Sequence, residues 1–275
     1  MTDPVKISST RLGRYIDCPR KARLAYEGEK PPSRKMAWGT VFHAVVEYRL
    51  GRGRWPTRKE FWKLEGNYED PRQSEILYPG LLKEVLELYG NYAPLLEIID
   101  ELRSVEDMVV EQPMADWDLR LGSEDVLATG YYDVLVPSQR LIVDWKTRSN
   151  FRYAPKTSGD FRDNDQLMYY AAALVQRNPE WPSVTVRHVN VLRESAAIAV
   201  YESEIPAFLL KSTWKALGDR WADEYARAMR ADPGDVPTDT SACYKYGPCS
   251  WLQECNRSGF DSSHSIFDFE FDFGD

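Results

Sequence analysis

Two apolar runs that each close on a carboxylate constrain this chain more than any other feature of its sequence. The first reads Ala128-Thr-Gly-Tyr-Tyr-Asp133-Val-Leu-Val136 and the second Leu141-Ile-Val-Asp144-Trp-Lys-Thr147, with Pro137-Ser-Gln139 between them. Val, Ile, Leu and Tyr at this density read as strands, and the intervening Pro-Ser-Gln reads as their turn. Apolar neighbours would bury Asp133 and Asp144, and a buried carboxylate is costly unless it binds a cation or is otherwise paired. A hard divalent ion satisfies both. Strand alternation puts Asp144 and Lys146 on one face and Trp145 on the other. An ammonium therefore stands beside the acids, where it can hold or help deprotonate a water and offset charge building on a phosphate. Taken alone, Asp-x-Lys on a strand is as readily a solvated ion pair. The preceding Asp133 and the hydrophobic run into Asp144 favour the site.

The flanking sequence places helices around these strands. Residues 8–27 predict one helix, capped by Ser8, Ser9 or Thr10 and stopped by Pro31-Pro32. Gly39 to about Leu50 predicts a second, with Val41, Phe42, Val45, Val46 and Leu50 at helical spacing and His43 one turn before Glu47. Residues 80–93 repeat that periodicity. From Val105 the pattern turns to β, with strands expected over 107–114, 117–121, 126–136 and 140–147 as a meander. A helix over 163–177, strands over 184–193 and 197–204, and a long helix over 206–230 complete the chain. The expected organisation is one α/β domain: a helical part (1–104), a core (105–230), a cysteine region (231–256) and an acidic-aromatic tail (257–275). In that tail Phe267, Phe269, Phe271 and Phe273 alternate with Asp268, Glu270 and Asp272. Such a segment can dock on a protein partner, cover a basic channel, or fray.

A net charge of −8 (35 Lys and Arg against 43 Asp and Glu) argues against a nucleic-acid partner until the charge is located. Residues 1–63 carry 15 basic against 6 acidic side chains, so they sum to +9 and the remainder to −17. Arg11, Arg14, Arg20, Lys21 and Arg23 make the first helix basic, and Arg52, Arg54, Arg58, Lys59 and Lys63 follow. With Trp38, Trp55 and Trp62 among them, this front can track phosphates while rings stack on bases, as single-stranded DNA requires. The plainer alternative is a solvated basic face with tryptophans in the core. No apolar run of 18 residues occurs and the first residues lack a secretory apolar stretch. A soluble, cytoplasmic protein with no membrane partner is expected.

The four cysteines are Cys18, Cys243, Cys249 and Cys255, one near the start and three together near the end. A disulfide framework does not suit a large chain without an export signal. Structural zinc is one alternative, although its ligand pairs usually stand two to four residues apart. A [4Fe-4S] cluster also takes four thiolates and, being larger than one ion, tolerates a looser wrap. It would tie the first helix to the last segment.

In these motifs the chain resembles the PD-(D/E)xK nuclease superfamily, within it the RecB-like group that includes iron-sulfur exonucleases associated with CRISPR systems and their phage-borne relatives. Gly39-Thr-Val-Phe-His43 matches the family's helical GxxxH signature, Gly130 to Asp133 its Gly-x-x-Asp, and Asp144-Trp-Lys146 its Asp/Glu-x-Lys. Gln166-Leu-Met-Tyr-Tyr170 matches Gln-x-x-x-Tyr, and the cysteines match one upstream and three downstream ligands. Asp stands at 144 where Glu is frequent, and five residues separate the last cysteines where two is familiar.

The resemblance implies an α/β, restriction-endonuclease-like core with a mixed central sheet flanked by helices. It implies Mg2+ or Mn2+ on Asp133, Asp144, the Trp145 carbonyl and His43, with Lys146 serving the attacking water. Gln166 and Tyr170 would position DNA or Lys146. Cys18, Cys243, Cys249 and Cys255 would hold a [4Fe-4S] cluster. The expected activity is a metal-dependent DNA exonuclease acting on single-stranded ends; the alternative is a catalytically idle nucleic-acid-binding subunit of a recombination or CRISPR-related complex.

Overall fold

The front helix divides in two. After strand β1 (Val5–Ile7), Ser8 caps α1 (Ser9–Asp17) by accepting from the Arg11 N–H, and α2 (Pro19–Glu27) starts on a proline behind an extended Cys18. Proline suits a helix's first turn but drives the residue before it out of the helical region, so Cys18-Pro19 turns a corner that helical periodicity does not register. The structure is a computed structural model and describes residues 3–28, 30–64, 70–152, 154–243 and 249–257. The acidic-aromatic alternation at the chain's end lies outside the described residues.

Helix α3 (Arg34–Arg52) is capped by Ser33 and closes on Gly53, whose φ of 77° is readily adopted by glycine. Short helices α4 (Arg58–Phe61) and α5 (Pro71–Leu77) lead to α6 (Leu81–Tyr89) and α7 (Ala93–Arg103). Strands β2 (Val109–Pro113), β3 (Arg120–Leu121), β4 (Ser123–Ala128), β5 (Tyr131–Val136) and β6 (Leu141–Arg148) follow. Helices α8 (Ser158–Arg162) and α9 (Asp165–Arg177) precede β7 (Ser183–Leu192) and β8 (Ile198–Pro206), and α10 (Ala207–Arg230) and α11 (Leu252–Arg257) end the described chain.

The central sheet runs β2-β5-β6-β7-β8, antiparallel except for the parallel β6–β7 pair. The expected meander is corrected here: β3 and β4 leave the main sheet and pair with β1 in a second, three-stranded one. Strand β1 is too short for its alternation to stand out. Leu141, Val143 and Trp145 pack into a core that contains residues of α3, α6 and α7, whereas Ile142 packs into one containing residues of α9 and α10. Helices thus cover both faces of a mixed sheet, the architecture expected above. Tyr89 ties α6 to the β7–β8 connection through hydrogen bonds from its hydroxyl to the Leu192 and Ala197 carbonyls, at 2.6 and 3.1 Å. Among the described residues no helix is long and apolar enough to cross a membrane.

Candidate active site

Continuing the β5–β6 register from Val134 opposite Val143 sets Asp133 across from Asp144. The Trp145 N–H donates to Asp133 Oδ2 at 2.7 Å, and Lys146 Nζ donates to Asp144 Oδ1 at 3.0 Å. His43 Nδ1, from α3, lies 3.6 Å from Asp133 Oδ2. Both acids are buried, Asp133 at 8% exposure and Asp144 at 5%. They line a cavity of about 580 Å3 together with His43, Lys146, Gln166 and Tyr170. Trp145 points the other way, into the core beneath α3.

Two glycines explain how distant elements reach this cavity. A Cβ at Gly39 would stand 2.9 Å from Thr147 Oγ1, so its absence lets α3 lie against β6 one turn before His43. Gly130 has a φ of 147°, and a Cβ there would meet the Tyr170 ring at 2.8 Å. The glycine that opens Gly-x-x-Asp therefore accommodates the tyrosine that ends Gln-x-x-x-Tyr. Tyr132 adds a hydrogen bond from its hydroxyl to the Tyr170 carbonyl at 3.0 Å.

The charges are strongly interdependent. Burial works against ionising Asp144, but Lys146 and His188 outweigh it and hold its carboxyl below the usual range. Burial likewise works against the Lys146 ammonium, and Asp144 and Asp133 reverse this, keeping it protonated beyond a free lysine's range. His43 follows the same pattern, with Asp133 overcoming burial and raising its pKa. Lys146 is thus a cationic donor as the cleft stands. Glu47 stands beside Glu111, and burial first and Glu111 second push its pKa up to about 10. Glu111 takes a left-handed φ of 57° between the paired residues Val110 and Gln112.

The basic front is split three ways. Lys6, Arg11 and Arg14, with Ser8 and Thr10, line the same cavity as the acids. Arg20 and Arg23 instead clasp the segment after α10: Arg20 donates to the Val236 and Gly234 carbonyls at 2.8 and 2.9 Å, and Arg23 to the Ala231 carbonyl at 2.7 Å. Farther on, Arg54 pairs with Glu60 and Arg49 lies over the Trp55 ring. The expected base-stacking tryptophans are corrected at Trp38, which is 2% exposed and stacked on Phe42 in the core. Its position on the buried stripe of α3 leaves no face for a base.

Sequence reasoning missed His188 and Asn190. Strand β7 reads Ser-Val-Thr-Val-Arg-His-Val-Asn-Val-Leu, and two polar residues two apart on a buried strand were the available signal. His188 pairs in register with Asp144, and its Nε2 lies 3.1 Å from Asp144 Oδ2.

Cys18, Cys243, Cys249 and Cys255 line a second, small cavity of about 40 Å3. Burial first, then the other three cysteines, raises the Cys243 thiol. The Asp239 N–H donates to Cys18 Sγ at 3.5 Å, and the Cys249 N–H to the Cys243 carbonyl at 2.8 Å.

Among the described residues, no three His, Cys, Asp or Glu side chains are drawn together tightly enough to hold an ion as they stand. In the cleft the cause is visible, since the acid oxygens are turned onto Lys146, His188 and the Trp145 amide. Two carboxylates and an imidazole still make a donor set suited to Mg2+ or Mn2+.

The profile of the PD-(D/E)XK nuclease superfamily matches residues 6–256. A crystal structure of a candidate exonuclease from Eubacterium rectale superposes with a TM-score of 0.56 at 10% identity, covering 93% of this chain and 88% of that one, a likeness of fold. A second solved structure, of SSO0001, reaches a TM-score of 0.40 at 13% identity, covering 94% of this chain and 90% of that one, and carries no argument. No curated protein matches the chain.

Proposed function

The chain belongs to the PD-(D/E)XK nuclease superfamily, and we propose that it is a RecB-like exodeoxyribonuclease that hydrolyses single-stranded DNA from an end with Mg2+ or Mn2+. The observation that carries this reading is one cavity lined at once by Asp133, Asp144, Lys146 and His43 and by Lys6, Arg11 and Arg14. Acids that hold a cation and cations that hold phosphates are the two things a phosphodiesterase needs side by side. At about 580 Å3 the cavity is of small-ligand size, which suits a strand threaded past the acids better than a duplex laid across them.

Asp133, Asp144 and His43, with the Trp145 carbonyl, are the residues that would hold the metal. When bound, the metal supplies Lewis-acid polarisation of the phosphate and a more acidic water. Lys146 holds the attacking water and offsets charge on the phosphate as the new oxygen–phosphorus bond forms and the bond to the leaving sugar oxygen breaks. Gln166 and Tyr170 position the strand beside Lys146. Lys6, Arg11 and Arg14 bind neighbouring phosphates. We also place a [4Fe-4S] cluster on Cys18, Cys243, Cys249 and Cys255, supported by the one cavity they share. It would act as a structural staple.

Digestion of linear and circular single-stranded DNA tests the exonuclease reading. The linear strand is expected to disappear while the circle survives. Equal loss of both would make the enzyme an endonuclease.

A further inference from the structure

We propose that His188 is a positioning residue for the metal site: it fixes Asp144 from behind, in a ring orientation set by Asn190 and ultimately by Arg148. The inference rests on the reading that Asp144 is a metal ligand. In the parallel β6–β7 pair, Asp144 stands opposite His188 and Lys146 opposite Asn190. Four functional side chains therefore occupy adjacent places on one patch of sheet.

The order of donors along this patch is determinate. Arg148 has only donors to offer, and its Nε bonds to Asn190 Oδ1. That turns the Asn190 amide nitrogen toward His188, where it lies 3.5 Å from Nδ1 and 3.2 Å from the His188 carbonyl oxygen. An amide N–H facing Nδ1 makes that nitrogen the acceptor, so the ring proton belongs on Nε2, which faces Asp144 Oδ2 at 3.1 Å. His188 is 0% exposed, with the Phe161 ring packed edge-on at 6.4 Å between centroids.

Asp144 is thus approached on both oxygens, by Lys146 at Oδ1 and by His188 at Oδ2. The two contacts differ. Lys146 donates to Oδ1 at 3.0 Å, whereas His188 Nε2 stands 3.1 Å from Oδ2 as a close polar contact that leaves Oδ2 short of a full hydrogen-bond complement among the described residues. A carboxylate oxygen that is buried, faced by one donor and still short of a full complement is set up to share a lone pair with a cation while being kept from rotating. Hydrogen-bonding partners behind metal ligands typically change metal affinity or activity about 10- to 100-fold when removed.

The test is Mn2+ binding to the protein without nucleic acid, measured by calorimetry for wild type, His188→Leu, His188→Gln and Arg148→Met, with melting of each protein in chelator. His188→Leu is expected to weaken Mn2+ binding about 10- to 100-fold. His188→Gln places an amide donor near the position of Nε2 and is expected to recover most of that loss. Arg148→Met leaves the buried ring in place, so it tests the relay should His188→Leu fold poorly; it is expected to weaken binding measurably but less than loss of the direct partner does. In DNA digestion, the His188→Leu defect is expected to shrink as Mn2+ is raised, separating loss of affinity from loss of turnover.

A His188→Leu protein that melts lower but binds Mn2+ like wild type would overturn the proposal and leave His188 a packing residue. So would equal defects in the Leu and Gln variants. A wild type that binds Mn2+ and cuts no DNA would instead overturn the nuclease reading while leaving this inference standing.

Discussion

The acid cleft and the thiol pocket are both assembled from distant parts of the chain, yet they are built oppositely. The cleft is roomy, about 580 Å3, and its acids are already paired with internal donors, Lys146 on Asp144 and the Trp145 amide on Asp133. The pocket is about 40 Å3, and burial raises its Cys243 and Cys255 thiols. Around the pocket, Arg20 and Arg23 bind backbone carbonyls of the C-terminal segment and hold it against α2. One site is thus a large charged cleft, and the other a small pocket beside a segment clasped by arginines.

The largest effect that would sharpen this contrast is expected at the thiols. Cys249→Ser is expected to give a colourless protein whose Tm falls by roughly 10 °C, as loss of a group whose binding is coupled to folding costs several kcal/mol. Wild type should be brown with absorbance at about 400 nm, a property of cubane clusters as a class. A colourless wild type, or a colourless variant with unchanged Tm, would break the contrast.

A smaller effect is expected beside the cleft, at Glu47. Its carboxyl is raised to about 10 from 4.5, by burial first and Glu111 second. The folded protein therefore keeps a proton that the unfolded chain releases, so stability falls as pH climbs from 4.5 toward about 10. Glu47→Gln removes that dependence. In chelator, its Tm advantage over wild type should grow from near zero at about pH 4 to several degrees at about pH 9. Parallel Tm curves for the two proteins would contradict the buried pair.

What the sequence disclosed and what it hid divide along the same physical line. Asp133, Asp144 and Lys146 were legible because strand alternation and apolar flanks are local, and the cost of a buried carboxylate follows from its immediate neighbours. Gly39 and His43 were legible as a spacing, but why a glycine stands there required Thr147 of another element. His188 was harder to read, because its alternation with Asn190 on a buried strand gains a meaning only when the β6–β7 register sets it against Asp144. The second sheet was hidden for the same reason, since β1 pairs with β4 across more than 100 residues. Trp38 misled by its charged neighbours, whereas its own helical stripe decided its burial.

We propose Asp133, Asp144 and Lys146 as a metal-dependent phosphodiesterase centre. Its most direct test is digestion of end-labelled single-stranded DNA with Mn2+ by wild type, Asp144→Ala and Lys146→Ala. Each substitution is expected to lower the rate by about 10³-fold or more, the size of several kcal/mol of lost charge stabilisation. Variants that cut as fast as wild type would contradict the account.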